Sequence, residues 1–253
     1  MRLLASSPAV VLDRRYPEGE YRYLSYAVRA ARELLQPWDP ARHTGVTPLF
    51  FDAEAPFGPL PFEALSIDRT RAEVLLRAQI WEAFSVAMVE RQPEAALYAE
   101  KLAVPLDGVV EAGIPVSVID VVRDPRDILA SVRRFTARTG FDGFGRRSGE
   151  PEAAYAERFA SMIAAQHAIL RAPVDVPRMT LRYEEVVVDL EATAARLSAW
   201  LGVQVEAAAV RFDPGDRHVT SASARASVGR WRTELAAAEV ARLRPVVEEL
   251  GYG

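Results

Sequence analysis

The stretch that most constrains this chain runs from Val116 to Phe135, VSVIDVVRDPRDILASVRRF. Its first seven residues are β-branched and apolar apart from Ser117 and Asp120, which predicts a buried strand of a parallel sheet. Arg123 follows at once, and Asp124-Pro125 then opens a helix. Asp124 suits the N-cap, and Pro125 suits the first helical position, where its missing N–H costs nothing. Ile128, Leu129, Val132 and Phe135 recur at helical spacing and should face the sheet. In open α/β sheets, ligands bind where the strands end at their carboxyl side. A helix N-terminus there offers N–H groups and a positive dipole end to an anion, Arg123 adds a guanidinium fork, and Ser131 adds a hydroxyl two turns on. These features together predict a phosphate site. The same residues also admit a plainer reading, a capped helix start whose arginines pair with Asp124 and Asp127.

The remainder alternates strand-like and helix-like segments, so the expected fold is α/β, a parallel sheet with helices on both faces. At 253 residues and half apolar, the chain can bury a full core, and a single domain over 1–253 is expected. A net charge of −4 does not suggest a nucleic-acid surface. No cysteine occurs, which excludes disulfides and cysteine-bound metal and fits a cytoplasmic setting. No apolar run approaches the length of a membrane span, so no membrane association is expected.

Along the chain, Met1–Leu12 reads as a helix end followed by a short strand. An amphipathic helix then carries Tyr21, Leu24, Val28, Ala31 and Leu35. Residues 36–66 are rich in proline and predict an irregular insertion whose Phe50, Phe51, Phe57 and Phe62 either line an acceptor pocket or pack beneath the loop. A long helix holds Val74, Ala78, Trp81, Ser85 and Met88. Ala95–Ala99 reads as a short strand ending in Glu100-Lys101, and a connecting helix is expected near 106–112. Residues 139–151, glycine-rich and basic, read as a mobile lid or a flexible linker. Tyr155, Phe159, Met162, Gln166 and Ile169 mark another helix. A strand is expected over Met179–Tyr183 and a helix capped by Asp189. An irregular basic stretch, 211–232, precedes a last helix containing Pro245, which predicts a kink. His43, His167 and His218 fit no metal or triad spacing and read as surface or structural, with His167 an alternative base. No acidic or histidine cluster argues for a metal.

VVRDPRDILASVRRF resembles the segment by which the sulfotransferase superfamily binds the 3′-phosphate of 3′-phosphoadenosine 5′-phosphosulfate. Arg123 and Ser131 fall on the motif's arginine and serine. LRYEEVVVDLEATAARLSAWLGV, TSASARASVGRWR, the closing SVGRWRTELAAAEVARLRPVVEELGYG and YAEKLA resemble further segments of that family, in its order. The resemblance covers residues 95–253 well and 1–94 loosely, and it implies a P-loop NTPase-like fold of the sulfotransferase type. It implies that Arg123, Ser131, Arg225, Gly229 and Arg230 hold the 3′-phosphate, with Gly229 allowing a close backbone approach. Tyr183 and Trp231 either neighbour the adenine or serve packing. Glu100 is the implied general base, against the plainer reading of a solvated partner for Lys101, and Lys101 is the implied cation near the bridging oxygen. The family's phosphate loop, of the type Arg-Ser-Gly-Thr-Thr, is not found. MRLLASSP resembles the helix end that follows it, so the expectation is a sheet short of its first strand and a site short of its 5′-phosphosulfate wall. Two functions follow from the resemblance. One is sulfuryl transfer to a hydroxyl or amine of a small-molecule acceptor, and the other is an inactive nucleotide-binding module.

Overall fold

The computed structural model describes residues 1–12, 23–34, 68–101, 110–111, 113–170, 175–210 and 219–253. The expected insertion over 36–66 with its four phenylalanines, His43, His218, Tyr21, Leu35 and nearly all of the 106–112 helix lie outside the described residues. The fold is mixed α/β. It divides into two compact units, Met1 with Val11–Val116, and Arg2–Val10 with Ser117–Gly253.

In the first unit, helix α1 (Tyr23–Leu34) packs against helix α2 (Arg69–Glu90). Asp68 caps α2 by accepting the Arg71 N–H at 3.1 Å. Leu24, Ala27, Val28 and Ala31 of α1 and Val74 and Ala78 of α2 are buried, as their 3.6-residue spacing requires. Tyr23 stacks on Phe84 with ring centroids 4.9 Å apart, and Arg32 pairs with Glu73 at 2.8 Å. The Ala99 N–H donates to the carbonyl of Val11, tying the short strand β2 (Leu97–Tyr98) to the chain at β1 (Val10–Val11).

The second unit is built on two parallel strands, β3 (Val118–Val122) and β4 (Arg178–Arg182), paired from Val118 with Arg178 to Val122 with Arg182. Along β3, Asp120 and Val122 are buried while Val121 is 57% exposed, the alternation that a pleated strand imposes. Helix α3 (Pro125–Thr139) follows β3 after a two-residue turn and ends at Gly140, whose φ of 67° is the left-handed helix stop. Its Leu129, Val132 and Phe135 are buried, and Val122, Leu129 and Val132 share one core with Tyr155 and Phe159 of α4 (Glu152–Leu170). Leu243, Val246 and Val247 of the last helix complete that core.

β4 differs from expectation at its end. The strand stops at Arg182, and Tyr183 begins a helix, α5 (Tyr183–Val188). Asp189 then caps α6 (Leu190–Leu201) by accepting the Ala192 N–H at 2.8 Å, as its position in the sequence predicts. A second core lies beneath α6, with Leu181, Ala194, Leu197, Val205 and Ala207. A short helix α7 (Trp231–Glu234) precedes α8 (Ala237–Glu249), which runs through Pro245. Among the described residues, no helix is long and apolar enough to cross a membrane.

The loop 140–151 is tied to α4 and α3. Tyr155 donates its hydroxyl to the Phe144 carbonyl at 3.1 Å, Glu150 accepts from Arg158 at 2.9 Å, and Phe144 meets Phe135 edge to face at 5.6 Å. Phe144 itself takes φ 57°, a left-handed conformation that its ring contact and carbonyl bond hold in place.

Candidate functional site

The helix start at Asp124 is the place where sequence and structure part most clearly. Its first N–H groups are expected to face an anion, yet internal carboxylates take those of Asp124 and Arg126. Glu184 accepts the Asp124 N–H at 3.0 Å, and the Asp124 carboxylate accepts the Arg126 N–H at 2.9 Å. Arg126 closes back on Asp124 at 2.7 Å and lies over the Trp231 ring at 4.0 Å. The plainer reading therefore holds for Arg126, which pairs with Asp124. It does not hold for Asp127, which accepts from backbone instead, 2.6 Å from the Gly229 N and 3.0 Å from the Trp231 N.

Two arginine side chains, Arg123 and Arg230, stand close to this helix start. Arg123 leaves the end of β3, lies over the Tyr183 ring at 4.3 Å and donates to the Ser227 carbonyl at 3.0 Å. Arg230, only 8% exposed, donates to the Thr220 carbonyl at 3.0 Å and to the Thr220 hydroxyl at 3.2 Å. That same hydroxyl is 2.8 Å from the Ser131 hydroxyl. The Tyr183 and Ser227 hydroxyls are 2.9 Å apart, and Ser227 spends its own proton on the Ala224 carbonyl, so Tyr183 is the donor. The structure thus gathers Arg123, Ser131, Tyr183, Gly229 and Arg230 around the segment 219–231.

Burial, together with the like charges of Arg123 and Arg134, holds the Arg230 guanidinium below its usual pKa, against the pull of Glu234 and Asp127. The Nε atoms of Arg123 and of Arg230 are both buried and have no hydrogen-bond partner. A buried, unpaired donor on a cation costs free energy unless a ligand acceptor takes it. Two such donors on two adjacent cations fit a phosphate dianion, whose oxygens accept several bonds at once. Gly229 sits at φ 74°, a left-handed conformation that lets its N–H reach the Asp127 carboxylate.

Arg225 is exposed and donates to the Val188 carbonyl at 2.6 Å, outside the hydrogen bonds that join the others. Thr220, Ser227 and Glu184 have no role in the sequence reading, and Asp127 has only that of a pairing partner for the arginines. Asp127 and Ser131 carried one usable signal, since they lie four and eight residues after Arg123 and so share a helix face.

Glu100 and Lys101 belong to the first unit. Glu100 is partly buried rather than solvated. It accepts the Leu24 N–H at 3.0 Å and the Tyr98 hydroxyl at 2.6 Å. Burial pushes its pKa above the ordinary carboxylate value, and those two hydrogen bonds offset the rise only in part. Lys101 is exposed. His167 is buried, with Nδ1 4.0 Å from Glu249. Among the described residues, no cluster of histidine and acidic side chains is placed to hold a metal.

A profile described as the Sulfotransferase family matches residues 3–207. The chain belongs to the sulfotransferase family. Across its whole length and 92% of the other chain, this sulfotransferase-family protein is similar to the structure titled "Sulfotransferase Domain from the Curacin Biosynthetic Pathway", with a TM-score of 0.52 and 16% identity. At that identity the likeness speaks to the fold. No curated protein sequence matches this family member.

Proposed function

We propose that this family member transfers a sulfuryl group from 3′-phosphoadenosine 5′-phosphosulfate to a hydroxyl or amine of a small-molecule acceptor. The observation that carries the reading is the pair of buried, partnerless guanidinium donors on Arg123 and Arg230, set beside the Ser131 hydroxyl. In this reading Arg123, Arg230 and Ser131 hold the nucleotide's 3′-phosphate, and Tyr183 supports Arg123 from below. Lys101 would meet the charge that grows on the leaving oxygen. Glu100 would take the acceptor's proton, a role that its raised pKa suits, because a stronger base draws a proton more readily at neutral pH.

Calorimetric titration with adenosine 3′,5′-bisphosphate, with 5′-AMP as control, tests the reading. The bisphosphate should bind selectively, and Arg123→Ala should lose about 2 kcal/mol of that binding, the usual worth of a charge-assisted pair. Equal affinity for the two nucleotides in the folded wild type would end the proposal.

A further inference from the structure

The segment 219–231 is stitched to one face of α3 by residues spaced four apart. Arg123, just before the helix, holds the Ser227 carbonyl. Asp127 holds the Gly229 and Trp231 N–H groups, and Ser131 holds the Thr220 hydroxyl. Of the three, Asp127 is the most deeply placed, at 1% exposure. A carboxylate so far from water is expensive to keep unless strong donors surround it. Here the two donors are main-chain N–H groups of the residues on either side of Arg230. Two fixed points flank a single residue, so Asp127 sets the backbone position and direction from which the Arg230 side chain departs. Arg230 then reaches Thr220 and leaves its Nε unpartnered.

We infer that Asp127 is a positioning residue for nucleotide binding, aiming Arg230 at the 3′-phosphate by clamping the Gly229 and Trp231 N–H groups. The inference rests on the function proposed above, although the clamp itself stands on geometry alone. An asparagine at 127 keeps the size of the side chain. It offers one accepting oxygen and turns an NH2 toward the other N–H, so one arm of the clamp opens and becomes repulsive.

The experiment compares wild type, Asp127→Asn, Arg230→Ala and the double variant. Calorimetry with adenosine 3′,5′-bisphosphate and 5′-AMP reads binding, and hydrogen exchange reads the Gly229 and Trp231 amides. Asp127→Asn should weaken bisphosphate binding about tenfold, the worth of one hydrogen bond to a charged group, with 5′-AMP little changed. Exchange at the two amides should quicken. The double variant should bind no more weakly than Arg230→Ala, because Asp127 acts through Arg230. Fully additive losses, or wild-type affinity in Asp127→Asn, would overturn the positioning role, and unchanged amide exchange would overturn the clamp. A wild type that does not prefer the bisphosphate over 5′-AMP would overturn the nucleotide reading, and the exchange result would still decide the clamp. Should Asp127→Asn fail to fold, Asp127→Glu, which keeps the charge one methylene further out, is measured with the same expectations of direction.

Discussion

Glu100 is a single residue whose surroundings pull it in opposite directions. Burial favours its neutral form, while the Tyr98 hydroxyl and the Leu24 N–H favour the carboxylate, and burial is the larger effect. Its pKa in the folded chain therefore lies above 4.5, and the folded chain holds that proton more tightly than the unfolded chain does. The stability linked to this group is fully present below the unfolded value and is lost as pH rises through the raised one. Melting temperatures taken upward from pH 4.5 should accordingly fall less in Glu100→Gln than in wild type. In an assay of sulfuryl transfer, the same variant should lose turnover far more than nucleotide affinity if Glu100 accepts the proton. Equal losses in both would assign Glu100 to holding the start of α1. Asp127 shares the sign of the shift, since burial raises its pKa against the pull of the Gly229 and Trp231 N–H groups. Acidification therefore works on both residues in the same direction.

At the scale of elements, the helices α3, α4 and α8 meet over an apolar core but are also fastened by one ionic knot. Arg133 of α3 pairs with Glu152 at the start of α4 at 2.7 Å and with Glu239 of α8. Glu239 also accepts the Ala236 N–H at 2.8 Å and so closes the first turn of its own helix. Burial works to raise the Glu239 pKa, but the Arg133 guanidinium and that N–H outweigh it and hold the carboxylate below its usual value. Glu239 is only 7% exposed, so removing Arg133 leaves a buried charge with the Ala236 N–H but no charged hydrogen-bond partner. Arg133→Ala should cost roughly 3 kcal/mol in denaturant unfolding. The double change Arg133→Met with Glu239→Leu should recover most of that, since both the charge and its desolvation cost are gone. A single variant as stable as wild type would show that the knot adds nothing to the apolar contacts around it.

For the molecule as a whole, the site joins parts of the second unit that are remote in sequence. The end of β3, the face of α3, the first residue of α5 and the segment 219–231 all contribute to it. A ligand that binds only the folded arrangement stabilises all of these parts together. Adenosine 3′,5′-bisphosphate at 100 times its dissociation constant should raise the unfolding free energy by about 2.7 kcal/mol, and 5′-AMP at the same concentration by much less. Thermal unfolding monitored with each nucleotide measures this directly. Equal shifts with both would mean that the 3′-phosphate contributes nothing.

The sequence alone determined the local pieces, because their causes are local. Asp124-Pro125 could only open a helix, the apolar residues of α3 had to face inward, and Asp189 marked the start of α6. The spacing of Arg123 and Ser131 placed both on one line, and resemblance to the sulfotransferases supplied the family. Only the tertiary structure decided what these residues meet. Arg123 and Ser227 are separated by 104 residues, and nothing in helical or strand periodicity encodes their contact. Glu184 took the helix N–H that the local pattern offered to an anion, because the chain folds β4 beside β3 and turns into α5 at Tyr183. Arg225 and Arg230 look alike as basic residues in one irregular stretch. A left-handed glycine and a buried carboxylate hold the backbone around Arg230 against α3, while Arg225 is left to the Val188 carbonyl.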